Sequence, residues 1–181
     1  MSDFKVDTVI IGAGVVGLAI GLELLKKNKD VLIIESEDDF GKITSSRNSG
    51  VIHAGIYYPH NSLKSKFCVA GNKLMYDYCK KFSIPHVNTK KLLVASSSDQ
   101  VKIIDKINDQ ATLNGVEGIK KISKNEVSKL EPLITCEEAL LVPSSGIIDA
   151  IYFMRSLVGQ IEDLGGMISY KSNLKGINVD K

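Results

Sequence analysis

Residues 9–17 read Val-Ile-Ile-Gly-Ala-Gly-Val-Val-Gly, an apolar run that enters the pattern Gly-x-Gly-x-x-Gly. The apolar residues from Val6 to Ile11 predict a strand, and a helix-like segment follows from about Val15 to Asn28. A second apolar run, residues 31–34, predicts a strand buried in a parallel sheet, and Glu35 ends it. This order of strand, glycine-rich turn, helix, strand and acid predicts an α/β fold with a Rossmann-like dinucleotide-binding domain.

The three glycines have separate roles in that pattern. Gly12 permits the tight turn, Gly14 lets the backbone approach a pyrophosphate, and Gly17 lets the helix pack closely on the strand. The pyrophosphate would lie at the N-terminus of the helix, where unpaired N–H groups and the helix dipole favour an anion. Glu35 stands where a carboxylate can accept hydrogen bonds from ribose hydroxyls. Since no arginine stands beside Glu35, we do not expect NADP. The leucines at 18, 22 and 25 repeat at helical spacing and are expected in the core.

A second informative stretch, residues 44–58, reads Thr-Ser-Ser-Arg-Asn-Ser-Gly-Val-Ile-His-Ala-Gly-Ile-Tyr-Tyr. It is too rich in glycine and serine for a regular element, yet Val51, Ile52 and Ile56 are too apolar for a free loop. This mixture is typical of a buried segment that follows a ligand. Polar groups that can face phosphate oxygens come from Ser45, Ser46, Asn48 and Ser49. Arg47 adds a positive charge beside them.

With these residues the chain resembles the D-amino-acid-oxidase-like superfamily of FAD enzymes, and within it the L-2-hydroxyglutarate dehydrogenases and oxidases. The glycine fingerprint is shared by many families, whereas residues 48–58 are much more specific. Further matches are Ser62-Leu63-Lys64, Cys68-Val69-Ala70-Gly71, Lys91-Leu92-Leu93-Val94-Ala95, Leu130-Glu131-Pro132 and Ser145-Gly146-Ile147-Ile148-Asp149. The resemblance runs from about residue 5 to 179, which is nearly the whole chain.

The resemblance implies that a hydride passes from the carbinol carbon of a 2-hydroxy acid to FAD, with L-2-hydroxyglutarate giving 2-oxoglutarate. His53 is the candidate base for the hydroxyl proton, because an imidazole suits proton transfer near neutral pH. An equally weighted alternative is that His53 only hydrogen-bonds the flavin or a nearby carbonyl. His60 and His86 each follow a proline and are expected to face solvent.

The sequence predicts more residues that bind the cofactor than residues that contact the substrate. Cofactor-binding residues are predicted at Gly12, Ala13, Gly14, Val16, Gly17, Glu35, Ser46, Arg47, Asn48, Ser49, Gly50 and Leu174. The resemblance places the backbone near Leu174 against the adenine, although an ordinary strand residue explains Leu174 equally well. A dicarboxylate needs cationic or hydroxylic partners. Tyr57, Tyr58 and Lys91 are weak candidates, and a solvated role explains Lys91 equally well.

Composition excludes some classes of partner. The chain has 181 residues, a net charge of +2 and mixed signs along its length, so we expect no nucleic-acid partner. Its three cysteines lie in no C-x-x-C or Cys/His pattern, which predicts free thiols, a cytoplasmic location and no metal site. No apolar run approaches the length of a membrane span, although peripheral membrane contact is compatible with electron transfer to a quinone.

The remaining sequence predicts an insertion into the nucleotide-binding fold. We expect a first FAD-binding part at 1–82, an α+β substrate-side insertion at 83–145 and a return at 146–181. Within these segments we predict helices over 62–82, after Ser98 or Asp99, from the capping box at Ser123–Glu126, and over 150–164. Strands are predicted over 88–95, 167–170 and 174–179.

Family members are roughly twice as long, so we expect an N-terminal portion of the enzyme that binds FAD weakly and turns over poorly. Three alternatives stay open: a relative acting on an amine or glycerol 3-phosphate, an NAD-dependent dehydrogenase, and a nucleotide-binding fragment without turnover. The sequence does not distinguish oxygen, a quinone or an electron-transfer protein as electron acceptor. It also does not decide covalent flavin attachment or oligomeric state.

Overall fold

The computed structural model describes residues 5–178, which form two compact units. The first unit contains the chain up to Ser49 and from Asp149 onward, and the second contains Gly50–Ile148. The sequence-based division placed boundaries at residues 82/83 and 145/146 instead. Residues 51–52 and 146–148 pair with each other as antiparallel strands, and this pairing places both segments in the second unit.

The described residues contain five α-helices, nine strands and one short 3-10 helix at Thr44–Ser46. In chain order the α-helices and strands are β1 (Thr8–Ile11), α1 (Val15–Leu25), β2 (Val31–Ile34), β3 (Val51–Ile52), α2 (Leu63–Lys81), β4 (His86–Val87), β5 (Lys91–Ala95), α3 (Ser98–Leu113), β6 (Lys120–Ser123), α4 (Lys124–Leu130), β7 (Glu138–Val142), β8 (Gly146–Ile148), α5 (Ala150–Asp163) and β9 (Met167–Ser169).

The first unit is the predicted parallel α/β layer. Its sheet has the order β1-β2-β9, and both strand pairs are parallel. The leucines at 18, 22 and 25 of α1 are buried, as the helical spacing predicted. The helix α5 packs against α1, and the Asp149 carboxylate caps it by accepting hydrogen bonds from the backbone N–H groups of Ile151 and Tyr152. The predicted α/β fold with a parallel sheet is therefore confirmed.

The second unit has an α+β architecture with two antiparallel sheets. One sheet has the order β3-β8-β4 and the other β5-β7-β6. The larger core cluster joins the second sheet, the helix α3 and the segment after β3 through Ala54, Ile56, Ala95, Ile104, Ala111, Val116, Leu140 and Val142. The predicted capping box begins α4, because Ser123 and Glu126 satisfy each other's backbone N–H groups.

The helix α2 has the predicted bounds but an unexpected burial pattern. Its N-cap Ser62 accepts a hydrogen bond from the Ser65 N–H. The apolar side chains that define its helical stripe are largely exposed: Leu63 by 69%, Phe67 by 70% and Leu74 by 66%. Ser65 and Cys79 are the buried residues instead. Helical spacing identifies an apolar stripe, but burial also requires a neighbouring element that covers it.

The strand predicted over 174–179 does not form across residues 174–178, and Val179 lies outside the described residues. An extended segment becomes a strand only where a neighbour supplies ladder hydrogen bonds. Across residues 5–178, no helix has both the length and the apolar character needed to cross a bilayer. The same residues contain no group of three or more His, Cys, Asp and Glu side chains arranged to hold a metal ion.

Candidate functional site

The glycine-rich turn between β1 and α1 admits only glycine at two of its positions. Gly12 has a φ of +101°, a backbone conformation that side chains rarely allow. A Cβ atom on Gly17 would lie 2.1 Å from the Gly12 carbonyl oxygen, so the helix passes too close to the turn for any side chain. Backbone therefore lines this turn at the start of α1, and helix N-termini of this kind favour anionic groups.

Ser45 contacts the N-terminus of α1 directly. Its Oγ accepts a hydrogen bond from the Val15 N–H at 3.0 Å, and a Cβ on Gly14 would lie 3.1 Å from the same oxygen. Gly14 is the N-cap residue of α1, and this helix has no side-chain cap of its own. The structure thus joins the serine-rich stretch to the N-terminus of α1, where the sequence predicts a pyrophosphate.

Glu35 directly follows β2 and is held there as a carboxylate. The side chain is buried, and its oxygens accept hydrogen bonds from the Ala13 N–H at 2.8 Å, the Glu37 N–H at 3.0 Å and the Ser36 hydroxyl at 3.0 Å. Burial raises the pKa of Glu35, but the hydrogen bonds from Glu37, Ala13 and Ser36 outweigh it and hold the pKa below its ordinary value. The contact to a ribose stays a prediction.

The residues after Ser45 form a turn closed by its own side chains. The Ser46 hydroxyl shares its single proton between the carbonyls of Lys42 and Ile43, and the Asn48 amide donates to the Ser45 carbonyl. A pocket of about 430 Å³ lies beside this turn. It is lined by Glu37, Lys42, Ile43, Thr44 and Arg47. The predicted phosphate-facing serine at 46 therefore stabilises the turn, and Arg47 lines the adjacent pocket.

The other predicted cofactor residues are distributed over both units. Ala13 is a fully buried residue of the glycine-rich turn, while Val16 on α1 is exposed. Ser49 and Leu174 are exposed residues of the first unit. Gly50 belongs to the second unit and has a φ of +64°. A Cβ atom added at this position would lie 2.7 Å from the Ile148 carbonyl oxygen. Glycine is therefore required there by the pairing of β3 with β8.

In the second unit, the segment from His53 to Tyr58 combines buried anchors with exposed functional groups. Ala54 and Ile56 are buried in the core, whereas His53 and Tyr57 are exposed. The Lys91 ammonium lies 5.9 Å from the centre of the Tyr57 ring, and the Lys64 ammonium lies 5.8 Å from the centre of the Tyr58 ring. Partial burial first, and then the charge of Lys91, lower the pKa of His53 below its ordinary value of 6.5. The predicted base and two predicted substrate residues, Tyr57 and Lys91, therefore lie together.

The other two histidines are placed differently from each other. His60 is exposed, as predicted, with its Nδ1 3.4 Å from the Asn114 Oδ1. The expectation that His86 faces solvent is wrong: it is half-buried in β4, and its Nδ1 lies 2.7 Å from the Ile84 carbonyl oxygen. Pairing of β4 with β8 explains this placement, because it brings the residue into a sheet.

Two asparagines that sequence reasoning missed fix the backbone of the His53–Tyr58 segment. The Asn72 amide on α2 donates to the carbonyls of His53 and Ser144, at 3.0 and 2.9 Å. The Asn114 amide, at the end of α3, donates to the carbonyls of Gly55 and Tyr58, at 3.1 and 2.8 Å. No local pattern marks either asparagine, because each acts on backbone more than 15 residues away.

The observed turn, helix N-terminus and buried acid fit the pyrophosphate and ribose of a dinucleotide cofactor. Comparisons with known proteins agree with this fit. The family model described as DAO, FAD dependent oxidoreductase, matches residues 7–181. A curated relative from Arabidopsis thaliana, a mitochondrial L-2-hydroxyglutarate dehydrogenase, is 50% identical over 154 residues, covering 85% of this chain and 32% of the relative. The human protein of the same name is 34% identical over 177 residues, covering 97% and 38%.

Solved structures agree on the fold. The L-alpha-glycerophosphate oxidase from Mycoplasma pneumoniae, solved with FAD bound, has a TM-score of 0.88 at 26% identity, over 96% of this chain and 46% of that one. The glycine oxidase from Geobacillus kaustophilus has a TM-score of 0.81 at 21% identity, over 93% and 47%, and shows the fold alone. The chain spans about a third to two fifths of the length of the two curated relatives just described. The chain belongs to the DAO family of FAD-dependent oxidoreductases, whose family model matches it from residue 7 to residue 181.

Proposed function

We propose that this chain belongs to an enzyme that oxidises L-2-hydroxyglutarate to 2-oxoglutarate. It would supply the proton-accepting histidine and the FAD cradle, which we define as the glycine-rich turn, the N-terminus of α1 and Glu35. The observation that carries the proposal is the exposed imidazole of His53, which lies in the segment most specific to the resemblance, with the Lys91 ammonium nearby. The names of the curated relatives, at 34% to 50% identity, support the choice of substrate.

The first unit would hold the cofactor by backbone and carboxylate groups. The N-terminus of α1, beyond Gly14, offers N–H groups and the positive end of the helix dipole to the pyrophosphate. Glu35, kept ionised by its hydrogen bonds, would accept from the ribose hydroxyls. Arg47 adds positive charge beside the serine-rich turn, whereas the Lys42 ammonium is ion-paired with the Asp38 carboxylate.

The second unit would handle the proton of the reaction. Oxidation of the alcohol removes a hydride from the carbon and a proton from the hydroxyl group, and bound FAD supplies the hydride acceptor. His53 must be neutral to accept the hydroxyl proton. Its lowered pKa keeps the neutral form dominant at pH 7, so the base is ready before the substrate arrives.

The electron acceptor and the cellular location belong to the same proposal. Oxygen, a quinone or an electron-transfer protein would each accept the electrons, and a quinone would bring the protein to a membrane surface. Relatives from Arabidopsis and human are named mitochondrial, whereas the relative from Indibacter alkaliphilus carries no such word. The cytoplasmic location predicted from the unpaired cysteines stays a prediction.

A second candidate substrate is glycerol 3-phosphate. The high structural similarity to the glycerophosphate oxidase of Mycoplasma pneumoniae favours it. A panel of L-2-hydroxyglutarate, D-2-hydroxyglutarate, glycerol 3-phosphate and glycine, added without air to the FAD-loaded protein, separates the candidates. The proposal predicts flavin reduction by L-2-hydroxyglutarate with 2-oxoglutarate as product. Reduction by glycerol 3-phosphate alone would establish the second candidate instead.

A further inference from the structure

Lys91 lies on the same face of its sheet as the core beneath His53. Side chains alternate between the two faces of a strand, so residues 91, 93 and 95 of β5 share one face. Leu93 and Ala95 pack in one cluster with Ala54 and Ile56 of the His53–Tyr58 segment. Leu92 and Val94 pack in a different cluster, on the other face. Lys91 therefore extends the row of core residues Leu93 and Ala95 along this face of β5, towards the exposed side chains of His53 and Tyr57.

The Lys91 ammonium has an aromatic support and no counter-ion among residues 5–178. It lies 5.9 Å from the centre of the Tyr57 ring, within the range of a cation–π interaction. Of the carboxylates that the structure describes, none forms an ion pair with Lys91, which is half-buried. The preceding Lys90 is exposed and has a φ of +62°. The Lys-Lys pair in the sequence is thus one solvated lysine and one lysine beside the base.

We propose that Lys91, supported by the Tyr57 ring, binds a carboxylate of the substrate. An ammonium is a compact point charge with three donors, which suits a carboxylate group. This inference rests on the proposed function, because it names the residue that makes an acid the substrate in preference to a neutral alcohol. Binding the anion would also give Lys91 the counter-ion that none of the described carboxylates provides.

The same geometry couples anion binding to the proton affinity of His53. The titratable groups around His53 are Lys91 on β5, Tyr57 in its own segment and Cys68 on α2, whose thiol donates to the His53 carbonyl. Burial raises the pKa of both Tyr57 and Cys68, so both are neutral near pH 7. Lys91 is then the charge that acts on the imidazole. An anion bound to Lys91 offsets that charge and raises the pKa of His53.

The test is an NMR titration of the histidine side chains in the 181-residue chain with excess FAD. The chain has three histidines, so each imidazole can be assigned with single His→Gln variants. The pKa of His53 is measured with and without 2-oxoglutarate, against sodium chloride at matched ionic strength. We expect 2-oxoglutarate to raise the His53 pKa and sodium chloride to leave it nearly unchanged.

Three variants complete the experiment. Lys91→Met should raise the His53 pKa in the free protein and weaken 2-oxoglutarate binding by about 10-fold to 100-fold. Lys90→Met is the matched control and should behave like the unsubstituted chain, while Lys91→Arg should keep most of the binding. Equal binding by Lys91→Met and Lys90→Met, each with native backbone spectra, would overturn the assignment of Lys91. Failure of L-2-hydroxyglutarate to reduce the flavin, with Lys91-dependent binding intact, would overturn the proposed function alone.

Discussion

The backbone N–H of Ala13 donates a hydrogen bond to the Glu35 Oε2 at 2.8 Å, which joins the turn after β1 to the end of β2. These residues lie 22 positions apart, yet the fingerprint spacing brings them together. The same carboxylate also accepts from the Glu37 N–H and the Ser36 hydroxyl. Glu35 therefore organises the end of the sheet at which the cofactor is proposed to bind.

Replacing Glu35 by glutamine should lower stability at neutral pH by about 1–3 kcal/mol, because two backbone donors lose a charged acceptor. The folded pKa of Glu35 is depressed, so its contribution is present above the unfolded value near 4.5 and is lost as pH falls through the folded value. The stability difference between the original chain and Glu35→Gln should thus shrink in acid. Urea unfolding of both proteins at pH 7 and pH 3.5 measures it, and a difference independent of pH would contradict the account.

Gly17→Ala should weaken both folding and cofactor retention. Its Cβ would lie 2.1 Å from the Gly12 carbonyl oxygen, so the turn or the helix must move. We expect a loss of about 1–3 kcal/mol and little FAD retained after desalting. Gly159→Ala is the matched control, because it is also a helical glycine but has no atom within 4 Å of the added Cβ. It should gain about 0.5–1 kcal/mol. Similar flavin retention in both variants would argue against the cradle.

Asn72→Ala removes two hydrogen bonds from α2 to the carbonyls of His53 and Ser144. We expect a loss of about 0.5–1.5 kcal/mol, because each carbonyl keeps a second donor, the Cys68 thiol at His53 and the Tyr76 hydroxyl at Ser144. Lys73→Ala, at the next and exposed position, should change stability by less than about 0.5 kcal/mol. The chain has no tryptophan, so urea unfolding is best followed by far-ultraviolet circular dichroism. Equal midpoints for the two variants would show that Asn72 does not anchor the segment.

His53→Gln should slow flavin reduction by L-2-hydroxyglutarate by about 10²-fold to 10⁴-fold while FAD stays bound. His60→Gln, an exposed histidine outside the proposed site, should reduce the flavin at the original rate. Because the folded pKa of His53 lies below 6.5, the rate in the original chain should fall as pH drops through that lower value. Stopped-flow absorbance from pH 5 to 8 measures both effects. Unchanged rates in His53→Gln would support the alternative in which His53 only hydrogen-bonds its surroundings.

The first unit could be predicted from sequence because its signals are local. A glycine pattern, a continuous apolar strand at residues 31–34 and an Asp149 cap each specify nearby backbone, and the structure contains all three. The division of the chain depended instead on pairing between β3 and β8, whose residues are nearly 100 positions apart. Short strands at such separation leave little pattern in the sequence.

The residues of the candidate site also differ in whether a local sequence pattern identifies them. Gly12, Gly17, Glu35 and His53 were identified because each residue type has a restricted chemical role in its motif. Asn72 and Asn114 were missed because an amide that binds distant backbone looks like any surface amide in the sequence. Lys91 was ambiguous for the same reason, since two adjacent lysines differ only in which face of the chain they occupy.

The most direct test of the central claim is a visible spectrum of the purified chain after incubation with FAD and removal of free cofactor. L-2-hydroxyglutarate is then added without air, with the D-enantiomer as control. The account predicts a retained flavin spectrum that bleaches with the L-enantiomer and yields 2-oxoglutarate. A retained flavin that the L-enantiomer does not bleach would contradict the proposed reaction, and a chain that retains no flavin would contradict the cofactor cradle.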